Sequence, residues 1–93
     1  MNEAEARSVL IAELAKYRER SYRQLADLIA DPEYVEITAP SGAWYQLEFE
    51  AVWDDRPNEV LRVHATIDDS GAQAYFPMVE CFLIKPNGEI VND

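Results

Sequence analysis

Cysteine, glycine and basic residues are all scarce in this chain of 93 residues, and each scarcity excludes a class of site. The one cysteine, Cys81, can form no internal disulfide and cannot build a thiolate zinc site. The three glycines, Gly42, Gly71 and Gly88, are isolated in predicted turns, so there is no phosphate-cradling loop. Eight basic residues against eighteen acidic ones give a net charge of −10, which repels nucleic acids and anionic lipids. We therefore expect neither nucleic-acid binding nor membrane binding.

Extended apolar stretches are also absent. No stretch approaches the ~18 residues of a membrane span, and Met1–Ala6 carries two glutamates where a signal peptide carries positive charge. Together with the single cysteine, this predicts a cytoplasmic protein. The length predicts one domain over residues 1–93, with helices over about 3–30 and a sheet over about 34–92. No metal site and no cofactor is predicted.

The acidic residues are unevenly distributed along the chain. Residues 1–25 hold four acidic and five basic residues, net +1, whereas residues 26–93 hold fourteen acidic and three basic ones, net −11. Such a field speeds encounter with a basic protein surface, although solubility alone also explains an acidic composition. We therefore expect a small interaction module that binds a basic partner, in the manner of an immunity or inhibitor protein.

The first thirty residues show helical spacing. A first helix is predicted from Glu3 to about Glu19, with an apolar face made of Leu10, Ile11, Leu14 and Tyr17. Ser21-Tyr22-Arg23-Gln24 has the form of a capping box and predicts a second helix that ends near Asp31-Pro32. Its apolar face consists of Leu25, Leu28 and Ile29. One continuous helix through Ser21 is the alternative, because serine is tolerated within helices.

After Pro32 the apolar residues alternate with polar ones, which is typical of strands with one buried face. The turn signals are Pro40-Ser41-Gly42, Asp68-Asp69-Ser70-Gly71 and Pro86-Asn87-Gly88. The predicted fold class is α+β, with two N-terminal helices packed on one face of a four- to five-stranded antiparallel β-meander. The predicted core contains Leu14, Val35, Ile37, Tyr45, Leu47, Phe49, Leu61, Val63, Ile67 and Phe76.

Two pairs of aspartates, Asp54-Asp55 and Asp68-Asp69, each end an apolar run. Paired carboxylates are common in metal sites and acid–base sites. In a meander the third strand separates these pairs by roughly 20 Å, so they cannot share a site. Each pair is therefore interpreted as turn chemistry. Weak calcium binding by Asp54, Asp55 and Glu59 is the alternative, although this run lacks the glycine and alternating ligands of an EF-hand loop.

The polar face of the sheet carries the candidate binding site. If Trp53 pairs with Leu61, Glu50 lies opposite His64, and a tight turn after Asp68 would place Tyr75 on the other side of His64. A carboxylate, an imidazole and a phenol in one row form a plausible ligand-binding or proton-handling site. The candidate binding residues are Glu50, Arg62, His64, Tyr75 and Trp44. No catalytic residue is assigned, and a small ligand-binding or enzymatic domain is the alternative function.

Three apolar residues on this polar face predict a second kind of interaction. Alternation directs Trp44, Val52 and Tyr75 outward, and apolar residues grouped on one face form contact patches. A weak homodimer is therefore predicted. Because net charge opposes the approach of two such faces, the dimer should strengthen with salt.

The turn motifs together resemble a known group of proteins. The motifs are Pro40-Ser41-Gly42, Trp53-Asp54-Asp55, Ile67-Asp68-Asp69 with Gly71, Phe76-Pro77 and Pro86-Asn87-Gly88. In this order they resemble a family of short uncharacterised bacterial proteins, over most of residues 17–91. Two glycines are expected after Asp69 in that pattern, and this chain has Ser70-Gly71. The resemblance implies N-terminal helices before an antiparallel meander and no known activity, so no site residue is carried over.

Overall fold

The computed structural model describes residues 2–69 and 78–91 of the chain. Helix α1 spans Glu3–Arg18 and helix α2 spans Tyr22–Ala26, which a 3₁₀ turn over Asp27–Ile29 extends. The strands are β1 (Glu33–Thr38), β2 (Trp44–Trp53), β3 (Leu61–Asp69), β4 (Met78–Ile84) and β5 (Ile90–Val91). All five form one antiparallel sheet in the order β1-β2-β3-β4-β5. The predicted α+β class, with helices before a meander, is confirmed.

The helix boundaries follow from side-chain capping. The Asn2 side chain accepts a 3.1 Å hydrogen bond from the Glu5 amide at the start of α1. Ser21 and Gln24 form both halves of the capping box, with distances of 2.9 Å from the Ser21 amide to Gln24 Oε1 and 3.1 Å from the Gln24 amide to Ser21 Oγ. A residue whose amide is capped in this way starts a helix, so the chain forms two helices and the continuous helix does not occur.

The buried faces of the helices differ from the predicted ones at two positions. The buried residues of α1 are Ala6, Leu10, Leu14 and Tyr17, whereas Ile11 is 52% exposed. Ile11 follows Leu10 by one residue and is therefore turned about 100° away from the stripe. Ile29 is 38% exposed, because the 3₁₀ turn that contains it has three residues per turn and directs it away from buried Leu28.

The core lies between the helices and the odd-numbered residues of β2 and β3. Its sheet residues are Tyr45, Leu47, Phe49, Ala51, Leu61, Val63, Ala65 and Ile67, joined by Phe82 and Ile84 of β4. The rings of Tyr17 and Phe49 stack with centroids 3.9 Å apart, which packs α1 directly on β2. Val35 and Ile37 are only half-buried, because β1 is an edge strand. Phe76 lies outside the described residues.

The register of the sheet decides which predicted neighbours meet. Trp53 pairs with Leu61 and Glu50 pairs with His64, as predicted. The prediction for the next pair of strands is wrong, because Cys81 rather than Tyr75 lies opposite His64. Strand β3 continues through Asp69 instead of turning at Asp68, and Ile67 pairs with Met78, so the partner of His64 moves along the chain by six residues. Tyr75 itself lies outside the described residues.

The last turn has the predicted geometry. The Gly88 amide donates to the Lys85 carbonyl at 2.8 Å, and Gly88 has a φ of +91°, a conformation that favours glycine. The turn leads into Ile90, which pairs with Ile84. None of the helices in the described part of the chain is long and apolar enough to cross a membrane.

Candidate functional site

The candidate site lies on the sheet face opposite the helices, which we call the open face. On β1 and β2 it consists of Tyr34, Glu36, Thr38, Trp44, Gln46, Glu48, Glu50 and Val52. On β3 and β4 it consists of Arg62, His64, Thr66, Asp68, Val79, Cys81 and Leu83. The face exists because side chains alternate across the sheet, and the helices cover only one side.

Four carboxylates of the open face, those of Glu36, Glu48, Glu50 and Asp68, have no salt bridge within residues 2–69 and 78–91. They all lie on the three neighbouring strands β1, β2 and β3. Some carboxylates elsewhere have cationic partners, such as Glu33 with Arg20 at 3.0 Å, whereas the exposed Glu19 and Asp31 have none among the described residues. Unpaired acids grouped on one face give a local negative potential that attracts cations.

A depression of about 310 Å³ opens among these carboxylates. It is lined by Tyr34, Gln46, Leu47, Glu48, Thr66 and Asp68. Two adjacent rows of cross-strand neighbours build it: Tyr34, Glu48 and Thr66 lie in one row, and Gln46 lies beside Asp68 in the next. Its volume is at the lower end of the range for small-ligand pockets, which suits a single side chain or a small molecule.

Asp68, one of the residues that line the depression, carries an unsatisfied acceptor. Asp68 Oδ1 is buried and has no hydrogen-bond partner in the described part of the chain. A buried polar atom without a partner costs free energy, and such atoms are rare in folded proteins. A donor that entered the depression would satisfy this oxygen, so the site is suited to a cation or another hydrogen-bond donor.

Tyr34 and Glu48 form the opposite wall of the depression. They pair directly across β1 and β2, and the ring of Tyr34 is largely exposed, at 63%. Interaction with the Glu48 carboxylate, first through hydrogen bonding and then through charge, raises the pKa of Tyr34 above its usual value of 10. The hydroxyl therefore stays protonated near neutral pH, and the ring face remains available to a ligand.

The predicted binding residues are only partly brought together. Glu50 and His64 are cross-strand neighbours, but their side chains form no hydrogen bond or salt bridge in the part of the chain that the structure describes. Arg62 is next to them and its Nη2 donates to Asp54 Oδ1 at 2.7 Å. Trp44 lies six residues from Glu50 along β2, a separation of roughly 20 Å. The binding role of these residues stays a prediction.

A second hollow, of about 300 Å³, lies at the turn between β2 and β3. Its carboxylates already have cationic partners: Arg56 Nε lies 4.0 Å from Asp55 Oδ2 and 3.9 Å from Glu59 Oε2, and Arg62 binds Asp54. Among the described residues, no group of three or more His, Cys, Asp or Glu side chains is placed to hold a metal ion. This hollow is therefore a weaker candidate than the depression at Asp68.

The two aspartate pairs lie at opposite ends of β3, as predicted. Asp69 pairs with Tyr45 near the start of β2, whereas Asp54 directly follows the last residue of that strand. The interpretation of Asp68 and Asp69 as turn residues is wrong, because both belong to β3. Sequence reasoning missed Asp68 as a site residue for this reason. The alternation of apolar and polar residues along β3 could have identified it, because this pattern places Asp68 on the polar face of the sheet and its neighbour Ile67 on the buried face.

Two polar clusters on the covered face hold α1 on the sheet. Glu33 accepts from Arg20 Nη1 and Nη2, both at 3.0 Å, and from the Tyr17 hydroxyl at 2.7 Å. Arg20, and then Tyr17, lower the pKa of Glu33 below its usual value. Burial, followed by the bond to Glu33, raises the pKa of Tyr17 to about 12. These contacts fix the start of β1, the strand that carries Tyr34.

The other cluster lies near the N-terminal end of α1. Glu5 Oε1 accepts from Ser41 Oγ at 2.8 Å and from the Tyr45 hydroxyl at 2.7 Å. These two bonds, that from Ser41 first, lower the pKa of Glu5. The bond to Glu5, followed by burial, raises the pKa of Tyr45 to about 12. Both clusters are satisfied within the protein and are therefore structural.

Comparisons with known proteins found no matching family model, no similar curated protein and no similar solved structure. The resemblance to short uncharacterised bacterial proteins therefore remains a prediction. The function has to be inferred from the geometry of the open face itself.

Proposed function

We propose that this protein is an acidic interaction module that acts in the cytoplasm and binds a basic protein through its open face. The observation that carries the proposal is the depression at Asp68, where a buried carboxylate oxygen has no donor within the described residues. A surface that leaves such an oxygen unsatisfied is less stable alone than with a donor bound. The missing donor is supplied by the partner.

The surrounding charge supports a basic partner rather than a neutral one. Glu36, Glu48 and Glu50 lie around the depression without salt bridges in the described part of the chain. Residues 26–93, which include the whole sheet, carry a net charge of −11. Such a field raises the rate of encounter with a positive surface and weakens as salt screens it. Binding should therefore be fastest at low ionic strength.

The alternative is a ligand-binding or enzymatic site around Glu50, His64 and Tyr75. It has weaker support, because the Glu50 carboxylate does not hold the imidazole of His64 in place. A catalytic imidazole needs a partner that orients it. A weak homodimer through Trp44 and Val52 is likewise less favoured than a basic partner, because it would bring two acidic open faces together.

Neutralisation of the open face tests the proposal. The open-face variant carries Glu36→Gln, Glu48→Gln and Glu50→Gln. The control variant carries Glu19→Gln, Asp31→Asn and Asp55→Asn, which are exposed acids outside the open face. Each variant has a net charge of −7 instead of −10, so the two differ only in where the charge is lost.

The probe is a fluorescent synthetic peptide of lysine and arginine residues with a charge of about +6, and binding is followed by fluorescence anisotropy at low salt. We expect the control variant to bind almost as tightly as the wild type. The open-face variant should bind at least about tenfold more weakly, because it loses the local charges. Equal weakening of both variants would show that only net charge matters, and the proposed interaction face would be wrong.

A further inference from the structure

We infer that the depression on the open face receives an arginine side chain of the partner, with its guanidinium between Glu48 and Asp68 and against the ring of Tyr34. This inference rests on the proposed function and names the chemical group that anchors the partner. Three features of the protein support it: the spacing of the two carboxylates, the exposed ring of Tyr34, and the bound Arg20, which has the same kind of partners.

The spacing of the carboxylates suits a guanidinium. Glu48 pairs with Thr66, so Asp68 is its diagonal neighbour on β3, and such neighbours lie about 7–8 Å apart between their Cα atoms. A guanidinium carries five N–H donors around a flat group, so it can donate to carboxylates on two of its edges at once. A lysine ammonium is a compact point charge that cannot present two separated edges. The diagonal spacing therefore favours arginine.

Asp68 gives this contact its strength. Its Oδ1 is buried and lacks a donor in the described part of the chain, and the torsion that orients a carboxylate is broad, so the oxygen can turn toward an entering donor at little cost. A hydrogen bond between two charged groups is about twice as strong as a neutral one. Satisfaction of a buried oxygen adds to that gain, because the unpaired state is costly.

The exposed ring of Tyr34 provides the flat wall. It is 63% exposed and lies beside Glu48 in the same cross-strand row. A guanidinium over a tyrosine ring is stabilised by the attraction of its charge to the face of the ring. Stacking on the ring and hydrogen bonding at its edges do not compete, because a guanidinium makes the first through its face and the second in its plane.

The covered face of the protein already contains this arrangement. Arg20 lies with Cζ 4.0 Å from the centre of the Tyr17 ring and donates twice to Glu33, which also accepts from the Tyr17 hydroxyl. On the open face Tyr34 and Glu48 repeat the pair of a tyrosine and a carboxylate. Among the described residues, no arginine lines the depression that they share with Asp68. The partner's arginine supplies the guanidinium that Arg20 supplies on the covered face.

The experiment is a titration by NMR, in which the amide resonances of the protein are followed as a small probe is added. The probe is N-acetyl-arginine amide, and its matched control is N-acetyl-citrulline amide, which has nearly the same shape and no charge. N-acetyl-lysine amide tests charge without the flat guanidinium. We expect saturable shifts for the arginine probe at Tyr34, Gln46, Glu48, Thr66 and Asp68. The lysine probe should bind at least several-fold more weakly, and the citrulline probe should not saturate.

Variants identify the groups responsible. Asp68→Asn should weaken binding of the arginine probe by at least about tenfold, and Tyr34→Leu by several-fold, because the first removes a charged acceptor and the second removes the ring. Asp31→Asn is the matched control, since it makes the same chemical change at an exposed aspartate outside the open face. It should change the affinity by less than about twofold. Equal binding of arginine and citrulline probes, or equal effects of Asp68→Asn and Asp31→Asn, would overturn the inference.

The two proposals fail in distinguishable ways. If the basic peptide binds the open face and Asp68→Asn does not change its affinity, the arginine anchor is wrong and the acidic interaction face stands. If the arginine probe fills the depression but the basic peptide does not depend on Glu36 and Glu50, the anchor site stands and the wider interaction face is wrong.

Discussion

Arg20 forms two hydrogen bonds with Glu33, from Nη1 to Oε2 and from Nη2 to Oε1, each 3.0 Å long. Glu33 is the first residue of β1, and Arg20 lies between α1 and α2. The pair therefore ties the helix layer to the edge strand. Tyr34, the next residue of that strand, forms a wall of the depression on the opposite face. The placement of the site thus depends on a contact made on the other side of the sheet.

Replacement of Glu33 by glutamine should lower the free energy of unfolding by about 1 kcal/mol, because it removes a charged hydrogen-bonding pair that is partly exposed to water. Urea denaturation measures the change. Glu36→Gln on the same strand is the control and should change stability by less than about 0.5 kcal/mol, because Glu36 is exposed. Equal losses in the two variants would show that the Arg20 contact contributes nothing.

The stability of the protein should fall as the solution is made acidic, because two of its carboxyl groups have lowered pKa values. The pKa values of Glu5 and Glu33 are below the ordinary value of 4.5 in the folded protein. A group whose folded pKa is lowered stabilises the protein above its unfolded pKa, and this contribution is lost as pH falls through the folded value. Unfolding by urea between pH 6 and 3 should therefore show a loss below about pH 4.5 that is smaller in Glu33→Gln. An identical acid profile in this variant would contradict the account.

Stability should also fall at alkaline pH, for the opposite reason. The pKa values of Tyr17 and Tyr45 are raised from 10 to about 12 in the folded protein. A raised pKa gives stability that is fully present below the unfolded value and is lost as pH rises through the folded one, here between about pH 10 and 12. Tyr17→Phe and Tyr45→Phe should each reduce this loss. Alkaline unfolding followed by circular dichroism measures it, and unchanged profiles in both variants would refute the prediction.

The core stack between helix and sheet should be sensitive to truncation. Phe49 is fully buried and stacks on Tyr17, so Phe49→Ala should cost ~3–5 kcal/mol. Small domains are stable by only about 5–15 kcal/mol, so this variant should be partly unfolded or close to it. Val52→Ala on the open face of the same strand should cost much less, because Val52 is 46% exposed. Similar losses of thermal stability in the two variants would contradict the assignment of faces.

Asp68 should reduce the stability of the free protein. Its buried oxygen has no donor within the described residues, so Asp68→Asn replaces a carboxylate by a neutral group that costs less to bury. The free energy of unfolding should rise by about 1 kcal/mol, as is common where a binding group is kept at the expense of stability. Glu36→Gln is again the control, with a change below about 0.5 kcal/mol. A less stable Asp68→Asn variant would mean that Asp68 is structural.

The faces of the strands could be predicted from the sequence, but the register of β3 against β4 could not. Alternation has a period of two residues, so any even shift keeps the same residues buried. The run Asp68-Asp69-Ser70-Gly71 is typical of a tight turn, but β3 continues to Asp69. The shift of six residues brought Phe82 and Ile84, which the predicted core does not include, against the buried residues of β3, and it placed Cys81 opposite His64.

Most of the candidate site could not be predicted from the sequence, for a related reason. The residues that line the depression come from three strands, and the paired rows appear only when both registers are known. The unsatisfied Asp68 oxygen depends on the arrangement of its neighbours and leaves no mark in the local sequence. The pairing of Glu50 with His64 was predictable, because apolar alternation on both strands favours the register in which Trp53 pairs with Leu61. The absence of a hydrogen bond or salt bridge between the side chains of Glu50 and His64 could not be predicted.

A double-mutant cycle measures whether Asp68 interacts with the arginine of the partner. The protein is wild type or Asp68→Asn, and the probe is a basic peptide with a single arginine among lysines, or the same peptide with citrulline at that position. Calorimetry of the four combinations gives the coupling free energy between Asp68 and the arginine. If the arginine occupies the depression, the coupling should be at least about 1 kcal/mol. A coupling of zero, with additive losses from the two changes, would contradict the account.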